Sequence, residues 1–352
     1  MTWSCPFIDH AITFFPNGKV GPCCQIASEY LKPKDIINDP NRFADLKTNS
    51  PPAACKICVD NEAQNIRSYR QDAAEYNIGP GIAMLDIRNT NKCNLKCRYC
   101  GPHFSNKWAE ELGLFETLQH SNIPTQVVTN NLTRLYFTGG EPMINHDHWQ
   151  LLQFIEKNFD PGKITIEYHT NLSITKYKQI DVEQLWSKFK KVIIKCSVDV
   201  AGEQLNYIRS GSDWKKIDQN IQKYKQLENV YLTLNPVVSL LNIWWLDTVY
   251  DYGNNHSIIV EPMVLNGPDY LALDVIPNTL QQQALDILSK LPDSPKVEQM
   301  TGLVKNNVNK NLILHTYSHI LFLDKIRNEN LWSILPFTRD AKDRILKNYE
   351  YE

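Results

Sequence analysis

Three cysteines fall within eleven residues, at positions 93, 97 and 100 of "NKCNLKCRYCG" (91–101). Iron–sulfur clusters are normally held by four cysteine thiolates. Three thiolates on one loop can hold three irons of a four-iron cubane and leave the fourth iron open. A missing ligand is a chemical opening, much as a catalytic zinc keeps one position free. The competing chemistry is a zinc site completed by a distant residue such as His103, although zinc sites usually show paired CxxC knuckles. A second set lies upstream: Cys5, the adjacent Cys23 and Cys24, and Cys55 and Cys58 of "CKIC". Four thiolates from three places make a closed site. Its readings are an auxiliary [4Fe–4S] cluster, a four-cysteine zinc site, or plain buried cysteines. The ninth cysteine, Cys196 in "KVIIKCSVD", reads as a small buried hydrophobe, with a thiol hydrogen donor near a substrate as the alternative.

These residues need elements to hold them. The chain has 352 residues, 42% of them hydrophobic, enough for one large domain and a smaller one without disulfide staples. A formal net charge of −2 supplies no global basic field for nucleic acid or an anionic membrane. The N-terminus lacks a basic start before its apolar part, so no signal peptide is expected. No run of about 18 apolar residues is present, so no membrane span is expected either. The expected location is the cytoplasm, where nine cysteines read first as metal or redox chemistry.

Past a linker at "NIGPG" (77–81), strands and helices alternate. Strands are predicted at 82–87, 134–140, 164–171, 191–199, 230–238 and 257–264, with amphipathic helices such as 147–159 and 214–227 between them. This is an α/β pattern of βαβ units on a parallel sheet. Six units are too few for a closed eight-stranded barrel, so a partial barrel or an open doubly wound sheet is expected. In both, reactive groups gather at the carboxyl ends of the strands. The cysteine triplet follows the first strand and "TGGEP" (138–142) follows the second. Residues 271–352 read as helical, from apolar spacing in 278–291 and 310–327 and from "FTRDAKDRILKNYEYE" at the end. They are expected to cover the sheet or close the cavity.

Cys93-x3-Cys97-x2-Cys100, with Tyr99 before the last cysteine, resembles the signature of the radical S-adenosylmethionine (SAM) superfamily. Thr138, Gly139, Gly140, Glu141 and Pro142 look like its glycine-rich motif, whose backbone meets the SAM amino group. "HTN" (169–171) resembles its TNG position, with Leu172 where glycine is common. Ser197 and Asp199 resemble its ribose-contacting segment, and Arg209 in "YIRSGSDW" its partner for the SAM carboxylate. The resemblance covers about residues 82–265 and implies a partial (β/α)6 TIM-like barrel. It implies that the open iron chelates SAM and that one electron, from a reductant such as flavodoxin or ferredoxin, cleaves it. Methionine and a 5′-deoxyadenosyl radical result, and the radical takes hydrogen from a substrate. The residues keep simpler readings as well. "GGEP" can be a tight turn, Arg209 a solvated surface residue, Ser197 a small core residue, and Asn171 a helix cap.

"ITFFPNGKVGPCC" (12–24) reads as a β-hairpin whose Asn-Gly supplies positive φ angles. With "CKIC" it resembles the auxiliary-cluster modules called SPASM or twitch, which usually follow the barrel and here precede it. In those modules the cysteine after a V-x-P step is the ligand. "VGP" (20–22) then selects Cys23, with Cys5, Cys55 and Cys58, and leaves Cys24 as packing. The expected units are a cluster module over 1–78, a radical SAM barrel over 79–270 and a helical region over 271–352. The resemblance implies a peptide or protein substrate first and a small metabolite second, with a non-catalytic iron–sulfur scaffold or redox sensor as the non-enzyme reading. His10, His146 and His148 follow no ligand spacing, and "NIWW" (242–245) reads as core.

Overall fold

Apolar residues two apart in each parallel strand point to one face, and the core forms there. In the computed structural model, which describes residues 3–76, 81–114, 118–306 and 310–334, nine strands make one sheet. In chain order they are β1 (Ala11–Phe14), β2 (Lys19–Gly21), β3 (Lys32–Pro33), β4 (Met84–Ile87), β5 (Arg134–Phe137), β6 (Thr165–Thr170), β7 (Lys191–Cys196), β8 (Val230–Leu234) and β9 (Ile259–Val260). The spatial order is β9-β8-β7-β6-β5-β4-β1-β2-β3. From β4 to β9 every neighbouring pair is parallel. Spatial order follows chain order there without a reversal, so the sheet is not doubly wound, since that arrangement has a switch point.

Leu85 and Ile87, Leu135 and Phe137, Ile166 and Tyr168, and Val192, Ile194 and Cys196 form one buried row. Helices His146–Asn158, Val182–Trp186 and Trp214–Tyr224 pack on this row through residues such as Trp149, Leu152, Ile155, Trp186, Ile217 and Ile221. Each helix starts on a side-chain cap, from Asn145, Asp181 and Asp213, which satisfies an otherwise orphaned N–H. Cys196 is fully buried in this core, the packing role expected of it. The opposite sheet face carries a polar row. Arg88 forks onto Asp86 at 3.1 and 2.9 Å, Arg134 pairs with Glu167, and Lys195 reaches Glu167 at 3.3 Å.

Several strands are shorter than expected. β7 ends at Cys196, so Ser197 and Asp199 lie beyond it and do not share a strand face. β8 ends before Pro236, which cannot donate to a ladder. Val237–Val238 then pairs with Met263–Val264 in a separate two-stranded ribbon. The hairpin turn differs as well. Gly18 alone takes a positive φ, of 78°, and its N–H bonds to the Phe15 carbonyl at 3.2 Å. Pro16 follows Phe15 in the turn position that favours proline, so this is a type I turn closed by a left-handed glycine.

The N-terminal region is joined to the parallel sheet by the sheet itself. β1 pairs in parallel with β4, matching Ala11 to Met84 and Phe14 to Ile87, while β2 and β3 add antiparallel strands outside it. All four residues of β1 are buried, as a strand covered on both faces requires. The expected boundary near Gly79 falls at residues 77–80, outside the described residues.

Helices Asn278–Leu288 and Pro295–Lys305 bury Leu280, Ala284, Leu288, Val297, Met300 and Val304 against Ile243 and Leu246. "NIWW" thus contributes core residues, Ile243 and Trp244 being buried. Residues 335–352, with the expected closing segment, lie outside the described residues. Helix Lys310–Arg327 docks on the cysteine loop. Arg98, between Cys97 and Tyr99, pairs with Asp324 at 2.6 Å and with Glu329, and lies 3.6 Å over the Tyr207 ring. Asp324 also accepts from the Tyr207 hydroxyl and the Leu331 N–H. Removing one partner of a buried ion pair strands the other charge. Asp324→Ala is expected to cost about 3 kcal/mol of stability in denaturant titrations. Arg98→Met combined with Asp324→Leu should cost less than the two single changes added together.

Candidate active site and N-terminal thiol cluster

The cysteine loop (89–105) leaves the end of β4 and is pinned along its length. Cys93 N–H bonds to Asn106 Oδ1 at 2.9 Å, Ser105 Oγ to the Leu95 carbonyl at 2.7 Å, and Trp108 Nε1 to the Cys97 carbonyl at 2.8 Å. Lys96–Cys97 forms an antiparallel ribbon with Arg209–Ser210, placing Arg209 opposite Cys97. The three thiols lie close enough to repel one another as thiolates. Burial pushes Cys93 up to about 12, with Glu141 and Cys100 adding to the rise. Burial also holds Cys97 well above the ordinary thiol range; Arg209 opposes this and Cys100 and Cys93 add to it. Thiols in such surroundings stay protonated until a metal takes the proton's place.

The glycine-rich turn sits directly beneath the loop. Gly140 N–H bonds to the Thr90 carbonyl at 3.0 Å and Glu141 N–H to the Lys92 carbonyl at 2.7 Å. Gly139 has φ of +101° and a Cβ there would meet Thr90 O at 2.9 Å, while one on Gly140 would collide with the Lys92 carbonyl. The two glycines therefore answer to the approach of the loop backbone, a reason that sequence reasoning had not supplied. Among the described residues, the Gly139 and Gly140 carbonyls receive no donor. Pro142 opens a short 3-10 turn capped by Glu141. Glu141 is buried and accepts from Met143 N–H (3.1 Å), Thr170 Oγ1 (2.7 Å) and Asn171 N–H (2.9 Å). Burial raises its carboxyl above the usual range, and these bonds work against the rise.

Asn171 continues the chain of contacts. Its Nδ2 donates to Asn94 Oδ1 at 3.1 Å, and Asn94 Nδ2 donates to Ser173 Oγ at 2.9 Å. Its Oδ1 accepts from Ser173 N–H, an Asx-type turn and not the helix cap considered above. The loop, the glycine-rich turn and the end of β6 are thus stitched together. Asn94 and Ser173 escaped sequence reasoning; an asparagine between two candidate ligands was the available signal.

Arg209 is buried, which removes the surface-residue reading. Its Nε and terminal nitrogen fork onto Asp199 at 2.7 and 3.0 Å. Its other terminal nitrogen stands 3.8 Å from Cys97 Sγ. Asp199 also accepts from Tyr99 OH at 2.8 Å and Val237 N–H at 2.9 Å. The structure therefore binds Tyr99, Asp199 and Arg209 to one another. Ser197 donates its N–H to the Thr170 carbonyl at 2.8 Å.

The upstream thiols also assemble. Burial lifts Cys5 to about 11, with Cys55 and Cys58 adding to the rise. Cys23 is held well above its ordinary value by burial, then by Cys24, Cys5 and Cys58. Cys55 is raised by burial and by Cys58. Cys24 is turned to the polar row: burial lifts it to about 11 while Arg88 lowers it and Asp86 raises it. Among the described residues, no three His, Cys, Asp or Glu are gathered as tightly as a single metal ion requires. No helix among the described residues is long and apolar enough to cross a membrane.

Residues 87–249, a little under half of the chain, match the Radical SAM superfamily. Over 296 residues it is 24% identical to the radical SAM cyclopropyl synthase TigE of Paramaledivibacter caminithermalis, covering 78% of this chain and 58% of TigE. It is 30% identical over 138 residues to the 7-carboxy-7-deazaguanine synthase of Thermoplasma acidophilum, covering 39% of this chain and 61% of that protein. The chain thus spans less than two thirds of either relative. Streptococcus suis SuiB bound to S-adenosylmethionine aligns with a TM-score of 0.41 at 16% identity, over 74% of this chain and 61% of SuiB.

The glycine contacts yield a direct test. Gly140→Ala should destabilise the protein by about 3 kcal/mol, since the obstacle is backbone. Gly302→Ala, in helix Pro295–Lys305 with nothing near its Cβ position, should instead stabilise by about 0.5–1 kcal/mol. Thermal melts of the two variants check both signs.

Proposed function

We propose that the chain cleaves SAM reductively at a [4Fe–4S] cluster held by Cys93, Cys97 and Cys100, and that it acts on a peptide or protein. The observation carrying this reading is the presentation of three adjacent thiols at the end of β4, Cys97 buried and Cys93 and Cys100 half-buried, stitched to the glycine-rich turn and to Asn171. The donor set fits the group, since soft thiolates suit iron–sulfur clusters. When bound, the cluster supplies an open iron for the SAM amino and carboxylate groups and the electron that breaks a carbon–sulfur bond to give the 5′-deoxyadenosyl radical. The chain's own residues bind, orient and shield. The Gly139 and Gly140 carbonyls accept the SAM ammonium. Glu141 holds that turn in place from below. Burial of Cys97 keeps water from its thiol. The electron comes from a reductant such as flavodoxin or ferredoxin.

Cys5, Cys23, Cys55 and Cys58 hold an auxiliary [4Fe–4S] cluster in this reading. Four thiolates suit either a cubane or a zinc ion, and metal analysis separates the two. Four ligands leave no iron open, so the role is electron transfer or structure. The peptide substrate is supported by the resemblance of this N-terminal unit to modules that accompany peptide-modifying enzymes. The match to a deazaguanine synthase supports the second reading, a small metabolite.

Anaerobically reconstituted protein, reduced and given SAM, should release 5′-deoxyadenosine and methionine by mass spectrometry, and the Cys93/Cys97/Cys100 triple Ala variant should not. Absence of 5′-deoxyadenosine from protein with a reduced cluster would favour the scaffold reading. Metal analysis should find on the order of eight irons per chain. Cys24→Ala should keep them all and Cys23→Ala should lose about half. One zinc with four irons would overturn the auxiliary cluster alone.

A further inference from the structure

Arg209 invites a role other than the ligand contact its position first suggests. Three observations fix its guanidinium. Its backbone pairs with that of Cys97 across the short ribbon. Its Nε edge is forked onto Asp199 at 2.7 and 3.0 Å. Its remaining nitrogen faces Cys97 Sγ at 3.8 Å. Asp199 cannot release it cheaply: the carboxylate has no exposed surface, and its oxygens are also held by Tyr99 OH and Val237 N–H. Offering the fork to another carboxylate would break a two-point contact and leave a buried anion unpaired, a cost that breaking such pairs carries generally.

We infer that Arg209 is a positioning residue for charge: Asp199 aims its guanidinium at the sulfur of Cys97, and the fixed cation raises the reduction potential of the cluster bound there. This rests on the reading of Cys93, Cys97 and Cys100 as cluster ligands. The physics is direct. Reduction adds one electron, and hence one negative charge, to the cluster and its thiolates; no bond is made or broken. A cation in contact with one of those sulfurs favours the reduced state. Net charge, hydrogen bonds to the sulfurs and solvent exposure are the levers that set such potentials. Arg209 is 6% exposed and Cys97 7%, so water screens the interaction little. Asp199 opposes the effect, but more weakly. It lies behind the guanidinium as seen from the sulfur, with two of its four hydrogen bonds coming from Tyr99 and Val237.

The arrangement makes opposite-signed predictions for two neighbours. Arg209→Gln removes the cation and leaves the anion, so the potential should fall. Asp199→Asn removes the anion and leaves the cation, so the potential should rise. Arg209→Lys keeps the charge and should restore most of the loss. A merely structural disturbance would move Arg209→Gln and Asp199→Asn in the same direction. The measurement is an anaerobic redox titration of the reconstituted full chain without SAM, with dithionite supplying the electron. Electron paramagnetic resonance follows the signal that changes shape when SAM is later added, which singles out the cluster on Cys97. The expected change for Arg209→Gln is at least tenfold in the oxidised-to-reduced ratio at fixed potential, about 59 mV for one electron. An unchanged potential in Arg209→Gln, or a fall in Asp199→Asn, overturns the inference while leaving the cluster assignment intact. If Arg209→Gln fails to keep its irons, Asp199→Asn decides: a rise supports the inference, and no shift or a fall overturns it. Wild-type protein with no SAM-responsive signal would instead bring down the assignment of the cluster itself.

Discussion

The carboxylate of Asp199 accepts four hydrogen bonds with none of its surface exposed. It ties three otherwise separate segments together: Tyr99 from the cysteine loop, Arg209 from the ribbon strand and Val237 from the segment after β8. A buried anion is tolerated only when it is paired and fully hydrogen-bonded, so the three segments cannot shift independently. The cysteine loop depends on this anchor at one end of its signature and on Arg98 with Asp324 just beside it. Two buried arginines thus fix the loop, Arg98 from within it and Arg209 from the ribbon strand paired with it. One is neutralised by the end of the parallel sheet and the other by the C-terminal helix.

The N-terminal region obeys a related constraint. Its thiols could have been carried on a separate small unit. Instead β1 lies between β4 and β2, and its Thr13 hydroxyl reaches Asp86 of β4. Phe7, Ala11, Ala73 and Met84 form a small core shared by the two regions. Parallel pairing with β4 orients β1, and the hairpin then sends Cys23 and Cys24 back along the sheet. There the chain bends and turns just past β2, and the two side chains part. One of them therefore joins Cys5 and Cys58, and the other meets the Asp86–Arg88 pair on the polar sheet face.

Much of this was legible in the sequence because its signals are local. Alternating apolar residues in "RLYF" and "TIEYHT" set strand and face together, whereas the strand expected over 230–238 runs through the proline after "LTLN", where β8 has already stopped. The cysteine spacings, the glycine pair and Glu141 stood out as residues with few other reasons to occur there. What escaped were contacts between segments far apart in the chain. Nothing around Asp324 announces that it neutralises Arg98, 226 residues away. Arg209 was expected to meet the SAM carboxylate, and no signal in the sequence pointed to the fork it makes onto Asp199, ten residues upstream. The run "AITF" did carry a clue to β1. Four residues buried on both faces suit a strand inside a sheet better than the edge of a free hairpin.

Leu172 shows how such a site can accept an unfavourable residue. This leucine adopts φ of +52°, a conformation that favours glycine and costs an L-residue roughly 1–2 kcal/mol. The surrounding contacts hold it there. Its N–H bonds to Thr170 Oγ1 at 3.0 Å, its carbonyl accepts from Asn220 Nδ2 at 2.8 Å, and its side chain is fully buried. Burying a leucine contributes about 1.5–3 kcal/mol, enough to offset the backbone cost. The turn at Asn171 that meets Asn94 thus keeps the shape glycine would permit freely. It keeps it through packing against the helix side of the sheet, so the geometry beside the cysteine loop is coupled to the core beneath it.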